Sequence, residues 1–244
     1  MSSVRYLGHS TVLVELDGTR LVTDPLLRRR VGHLLRALPV DHPGELEAVL
    51  ISHAHHDHLD LPSLASFDPS IPIVLPRGLG RLLKGRENVH EVEEGDELTF
   101  GEVTVRATHA VHEGKRAGGR AEGPALGYAL GGKSLRVYFA GDTDLFPEME
   151  GLVPDLDLAL IPIWGWGPSL GRGLHLGPAR AAEAVRLLQP RIAVPIHWGT
   201  YRPMHRGARA RFLRDPADAF VRETSSLVPE VEVRVLQPGE QLEL

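Results

Sequence analysis

The sequence predicts an α/β protein in which two β-sheets pack together between helical layers. Three observations lead there. Strand-like stretches fall into two halves, helical patterns occur in both, and a second series of strands begins near residue 125 with no linker before it. With 244 residues the chain can bury a sizeable core, so residues 1–244 are read as one domain.

The elements follow in order. Residues 11–16 and 19–23 form a hairpin across Asp17-Gly18, a two-residue turn pair, and Asp24-Pro25 closes the second strand. In LLRRRVGHLLRAL, Leu27, Val31, Leu34, Leu35 and Leu38 recur at helical spacing with Arg28, Arg29 and Arg36 opposite. That pattern predicts an amphipathic helix over 26–38, packed on the core, capping a pocket or lying on a membrane interface. A short apolar strand at 48–51 comes next. Asp60-Leu61-Pro62 supplies a capping carboxylate and a first-turn proline, so a helix starts there. A strand at 71–75, a helical stretch over 78–84 and strands at 89–92, 97–100 and 102–108 complete the first half. Residues 113–124 are glycine-rich and polar, a loop. The second half holds a hairpin of 125–130 and 135–140, a buried strand at 158–163 and an amphipathic helix at 178–188. A strand at 192–196, a helix at 215–225 and a strand at 230–236 end the series.

Composition narrows the function. A net charge of −5 argues against a general nucleic-acid binder. The absence of cysteine excludes disulfides, thiolate ligands and a cysteine nucleophile, and accords with a cytoplasmic location. The first sixteen residues show no basic stretch followed by an apolar run, so no secretory leader is expected. No apolar run approaches the roughly 18 residues of a membrane span.

The densest chemistry lies in ISHAHHDHLD, residues 51–60, directly behind an aliphatic strand. His53 and His55 are two apart on a chain leaving a strand, so they face the same way. Asp57 and His58 follow where the backbone turns into a helix and approach from a second direction. Imidazole and carboxylate donors so placed suit two zinc, manganese or iron ions. The plainer alternative, a histidine-rich polar loop, does not explain two donor pairs converging on one strand end.

HAHHDH fits the HxHxDH signature of the metallo-β-lactamase-fold hydrolases, and the whole chain resembles that family. ATHAVHE (107–113), FAGDTD (139–144) and VPIHWGT (194–200) follow in the family's order, with GHST (8–11) and TDP (23–25) before them. The resemblance implies a four-layer αββα sandwich of two mixed β-sheets flanked by helices. It also implies a dinuclear centre: His53, His55 and His112 on one ion, Asp57, His58 and His197 on the other, Asp142 bridging. His109 competes with His112; the T-x-A-x-H pattern of relatives favours His112. His56 falls at the signature's variable position, and His33, His42, His90 and His205 are read as surface histidines.

Several branches of the family do not fit, because the chain lacks a Gly-His-Thr third motif, a cysteine ligand and an RNA-binding arm. What remains resembles the N-acyl-phosphatidylethanolamine phospholipase D group and the group of ascorbate-6-phosphate lactonase. In the former, LHLGPARAAEAV (174–185) would bring His175 near the metals; otherwise His175 is a surface residue before a helix. The implied cofactors are two divalent ions, zinc first, manganese or iron as alternatives. The implied reaction is attack by a metal-bridging hydroxide on a phosphodiester or related small ester, with Asp57 accepting a proton. Lactone or carboxylic ester hydrolysis is the alternative, and a non-catalytic metal-binding sensor a third reading. The expected partner is a small anionic molecule, with no nucleic acid and no integral membrane span, peripheral contact remaining open. Asp24 either orients a ligand histidine or caps the turn before Pro25. Pocket walls are expected from Trp164 and Trp166 in 163–173 and from His9, with Arg172 receiving a substrate anion and Tyr201 and Arg202 near the site by chain position. Lys115, Arg116 and Arg120 close over the site or remain solvated.

Overall fold

The computed structural model describes residues 2–115, 123–164, 175–207 and 211–244. In chain order the strands are β1 (Ser3–Gly8), β2 (Thr11–Leu16), β3 (Thr19–Thr23), β4 (Arg30–Val31), β5 (Leu34–Arg36), β6 (Ala48–Leu50), β7 (Ile73–Pro76), β8 (Val89–Val92) and β9 (Glu97–Phe100). They continue with β10 (Val103–His109), β11 (Leu126–Gly131), β12 (Arg136–Phe139), β13 (Leu158–Pro162), β14 (Ile192–Ile196), β15 (Tyr201–Pro203), β16 (Glu232–Val233) and β17 (Gln241–Glu243). The helices are α1 (Leu61–Leu64), α2 (Pro178–Leu188) and α3 (Asp215–Leu227).

Two large mixed sheets result. The first runs β17-β1-β2-β3-β6-β7-β8, antiparallel as far as β3 and parallel beyond it. The second runs β16-β14-β13-β12-β11-β10-β9, parallel from β16 to β12 and antiparallel thereafter. Strand alternation builds the core between them: Val12, Val14 and Leu16 of β2 point inward to Val105, Leu130 and Leu160, while Leu13 points out. Outside the second sheet, α2 and α3 contribute Ala181, Ala184, Val185, Leu188 and Phe220 to a further apolar layer. Pro178 opens α2, the amphipathic helix expected over 178–188, and Gln189 closes it in the left-handed region. Outside the first sheet, the helical layer is thin: α1, capped by Asp60 through the Ser63 N–H, and loops carrying Leu59, Phe67 and Leu79.

Strand direction positions the site. β1, β3, β6, β10, β12, β13 and β14 all run the same way within their sheets, so the residues following the strands of each sheet emerge at one edge. Gly141 (φ 61°) presses the two edges together, since a Cβ there would stand 2.8 Å from both Leu126 O and Ser52 Cβ. Leu126 N–H also donates to Ser52 O at 2.9 Å, sheet to sheet.

The helix expected over 26–38 is a correction. β4 and β5 form a hairpin around Gly32-His33, and β5 pairs with β15 to make a third, three-stranded sheet, β15-β5-β4. The reason is tertiary: Arg36, opposite the apolar stripe, is buried and donates to Leu7 O at 2.8 Å and Leu26 O at 2.7 Å. A partner strand distant in sequence overrides a local helical period. The 78–84 stretch shortens to one 3-10 turn at Gly80–Leu82, and the 230–236 strand to β16. β1, β15 and β17 add strands that the pattern reading does not include.

Candidate metal centre

The edge where the strands end collects the histidines. His53 leaves β6, and the segment after it closes a helical turn, with His58 N–H and Leu59 N–H both donating to His55 O. That turn carries Asp57 and His58. From the second sheet come His112 after β10, Asp142 after β12 and His197 after β14. His112 is held by Asp144 N–H donating to Val111 O and Val111 N–H donating to Thr143 Oγ1. His175 precedes α2.

These side chains face one another. Asp142 Oδ2 lies 3.2 Å from His58 Nε2, 3.3 Å from His197 Nε2, 3.3 Å from His175 Nδ1 and 3.9 Å from His112 Nε2. His112 Nε2 lies 3.3 Å from His55 Nδ1. Asp57 Oδ2 lies 2.9 Å from His9 Nε2, 3.6 Å from His58 Nε2 and 3.7 Å from His197 Nε2. Donor groups close enough to share an ion include His53, His55 and His112; His53, His58 and Asp142; His9, Asp57, His58 and His197; and His112, Asp142 and His175.

The far sides of several rings are anchored. Asp24, in the left-handed region (φ 34°), accepts from His58 Nδ1 at 2.6 Å, from Ser52 Oγ at 2.6 Å and from Ser52 N–H at 2.7 Å. Ser52 Oγ also lies 2.9 Å from His53 Nδ1. His197 Nδ1 donates to Trp164 O at 2.6 Å. The near sides tell the opposite story. His53 Nε2, His58 Nε2, His197 Nε2, His175 Nδ1 and both oxygens of Asp142 are buried without a hydrogen-bond partner among the described residues. Such atoms are costly to bury unless something else satisfies them, and imidazole nitrogens and carboxylate oxygens are the donors divalent ions take. The residues therefore fit metal ions.

The charges agree. Burial pushes Asp142 and Asp57 up, but the surrounding histidines outweigh it and hold both carboxylates well below their ordinary range. Burial works against charge on His58 too, yet Asp142, Asp57 and Asp24 hold its pKa well above that of an ordinary histidine. Burial keeps His53 well below that range, assisted by His58, and lowers His9 to about 3, assisted by His197.

Residues 19–198 match the family model described as "Beta-lactamase superfamily domain". A UPF0173 metal-dependent hydrolase of Methanopyrus kandleri is 33% identical over 250 residues, covering 98% of this chain and 99% of that protein. The chain belongs to the metal-dependent hydrolases of the metallo-β-lactamase superfamily. N-acyl-phosphatidylethanolamine-hydrolyzing phospholipase D 1 of Caenorhabditis elegans is 31% identical over 226 residues, 80% of this hydrolase and 63% of the nematode protein. Among solved structures, Igni18, a metallo hydrolase from Ignicoccus hospitalis, shares the fold with TM-score 0.73 at 23% identity, covering 100% and 99% of the two chains.

In this hydrolase the donors proposed from the sequence, His53, His55, Asp57, His58, His112, Asp142 and His197, lie together at one edge, and His175 stands beside them. His109 does not join them; its Nδ1 lies 3.1 Å from Glu94 Oε2 on the surface. His56 is exposed at the rim, and Asp24 makes the contact anticipated for a residue orienting a ligand histidine. The direct bond from His9 to Asp57 was not anticipated; its signal is Gly8-His9 at the end of a strand running parallel in direction to β3. Trp166, Arg172, Arg116 and Arg120 lie outside the described residues, and Lys115 is exposed.

A cavity of about 820 Å³ opens beside the donors. His9, Asp57 and His197 line it together with Val31 and Leu34 of the small sheet, Tyr201 and Pro203 of β15, Trp164, Trp198, Phe212 and Leu213. His33 and His205, expected merely to be surface residues, are exposed and also border its mouth. Among the described lining residues, Arg206 is the one arginine or lysine.

Proposed function

We propose that the chain hydrolyses a small phosphodiester or related ester with two divalent ions, zinc first, bound at the strand edge. The observation that carries this reading is the set of buried, unpartnered nitrogens and oxygens of His53, His58, His197 and Asp142 facing one another. His53, His55 and His112 would hold one ion; Asp57, His58 and His197 the other; Asp142 would serve both. Bound there, divalent ions supply Lewis acidity and a nucleophilic water at neutral pH.

The chain's own residues do the rest. Asp57, ionised in the metal-free chain, would accept a proton from the attacking water. His175, whose Nδ1 lies 3.3 Å from Asp142 Oδ2, would be the proton donor for the leaving oxygen. Asp24 and Ser52 fix the rings of His58 and His53 through their far nitrogens. The apolar cavity wall receives the substrate's non-reacting part and excludes water. No described helix is long and apolar enough to cross a membrane, and the cysteine-free chain is assigned to the cytoplasm.

A second reading, hydrolysis of lactones or carboxylic esters, is favoured by the scarcity of cations in the described cavity wall. The test reconstitutes metal-stripped protein separately with zinc, manganese and iron and offers an aryl phosphodiester and an aryl ester, with Asp57→Asn beside it. Phosphodiester turnover that the variant reduces by about 10²–10⁴-fold supports the first reading. Ester turnover alone selects the second. Full metal occupancy with neither leaves a non-catalytic metal-binding sensor.

A further inference from the structure

We propose that His9 is a positioning residue for Asp57: its Nε2–H donates to Asp57 Oδ2 and fixes that carboxylate among the neighbouring donors. The inference rests on the reading of Asp57 as a metal ligand and adds a residue that the HxHxDH signature does not contain.

Four contacts hold His9 in place. Its ring is buried, with Nε2 2.9 Å from Asp57 Oδ2, the same oxygen that lies 3.6 Å from His58 Nε2 and 3.7 Å from His197 Nε2. Its backbone N–H donates to Thr200 Oγ1 at 2.6 Å, and its carbonyl accepts from the His197 N–H at 2.7 Å. Its ring centroid stands 3.9 Å from that of His197. The end of β1 is thus bonded to the end of β14, and from that junction one side chain reaches across to the turn after β6.

The backbone underlines the point. His9 (φ 57°) and His197 (φ 61°) are both left-handed, a conformation that costs a non-glycine residue roughly 1–3 kcal/mol and persists where the surroundings over-determine it. Gly8 before them admits no side chain, since a Cβ would stand 2.8 Å from Thr200 Cγ2 and 2.9 Å from Arg36 Nη1. A fold that needed only a tight turn here would be served by glycine or asparagine at position 9. An imidazole reaching Asp57 supplies what neither provides. A neutral ring with its proton on Nε2 suffices, and the donation removes one rotational freedom from a carboxylate that must meet an ion in one orientation.

The test compares H9Q, H9N and H9L in the full chain, stripped of metal and titrated with zinc against a chromogenic chelator, with stoichiometry read by native mass spectrometry. Glutamine places an amide N–H near the position of Nε2. Asparagine keeps the left-handed preference but stops short of Asp57. The expected result is H9Q close to wild type, with H9N and H9L losing roughly 10–100-fold in affinity for one of the two ions. H9N binding as tightly as wild type would assign His9 to the turn alone and overturn the proposal. H9Q as weak as H9L would make the ring nitrogen itself a ligand, which also overturns it. Metal-free melting curves guard the comparison: an H9N protein that melts well below wild type gives His9 a folding role instead. Asp57→Asn, titrated in parallel, tests the underlying reading separately; if it binds both ions like wild type, that reading fails whatever the His9 variants do.

Discussion

Two regions meet at the mouth of the cavity, and they are held by different means. The donor cluster stands on the ends of strands from both large sheets, its rings anchored from behind by Asp24, Ser52 and Trp164 O. The small sheet β15-β5-β4 has short strands, partly exposed residues and an apolar face toward the cavity. In the cluster each side chain has a fixed direction; in the small sheet the requirement is shape and apolar surface. Position is therefore critical on one side of the cavity and volume on the other.

Arg36 ties the small sheet to β1 and to the segment after β3, and removing it gives the largest expected loss. Arg36→Ala leaves Leu7 O and Leu26 O without their buried donor, and lowers stability by about 2–4 kcal/mol in chemical denaturation. Asp24→Asn strikes the cluster alone. It should weaken metal binding by roughly 10–100-fold while leaving KM for an apolar substrate near wild type at saturating metal. Leu34→Ala strikes the small sheet alone. Metal affinity should stay unchanged and kcat/KM should fall roughly tenfold for substrates with an apolar group, read from a homologous ester series.

His58 has its pKa raised in the metal-free chain, so near neutrality it holds a proton that an ion must displace. Apparent metal affinity should then rise with pH, by about tenfold per unit while one proton is released, and level off above the raised pKa. Titrations in buffers of different ionisation enthalpy count that proton. Affinity flat through this range would mean that His58 is already neutral.

The same contrast explains what the sequence made legible. The cluster could be read because its chemistry is concentrated: HAHHDH behind an aliphatic strand, GDTD and IHWGT behind two more. Strands buried on both faces, such as 192–196, and the helix at 178–188 are equally readable, their boundaries following from local pattern. The 26–38 segment misled because Leu27, Val31, Leu34 and Leu38 do keep a helical period. What decides its structure, the pairing of Tyr201 with Arg36, is not written locally. The His9–Asp57 bond was hidden for a related reason: it depends on β1 running parallel in direction to β3, a fact about sheet order rather than residue type.

Strand direction has a consequence for how such a protein is made. Because donors follow successive strands, they leave the ribosome in order: His53 to His58 first, His112 and Asp142 next, His197 late. The trio His53, His55 and His112 is complete once β10 and the turn after it have been synthesised, whereas the group around Asp57 waits for β14. A product stalled before β14 would therefore contain His53, His55 and His112 but lack His197 of the group around Asp57.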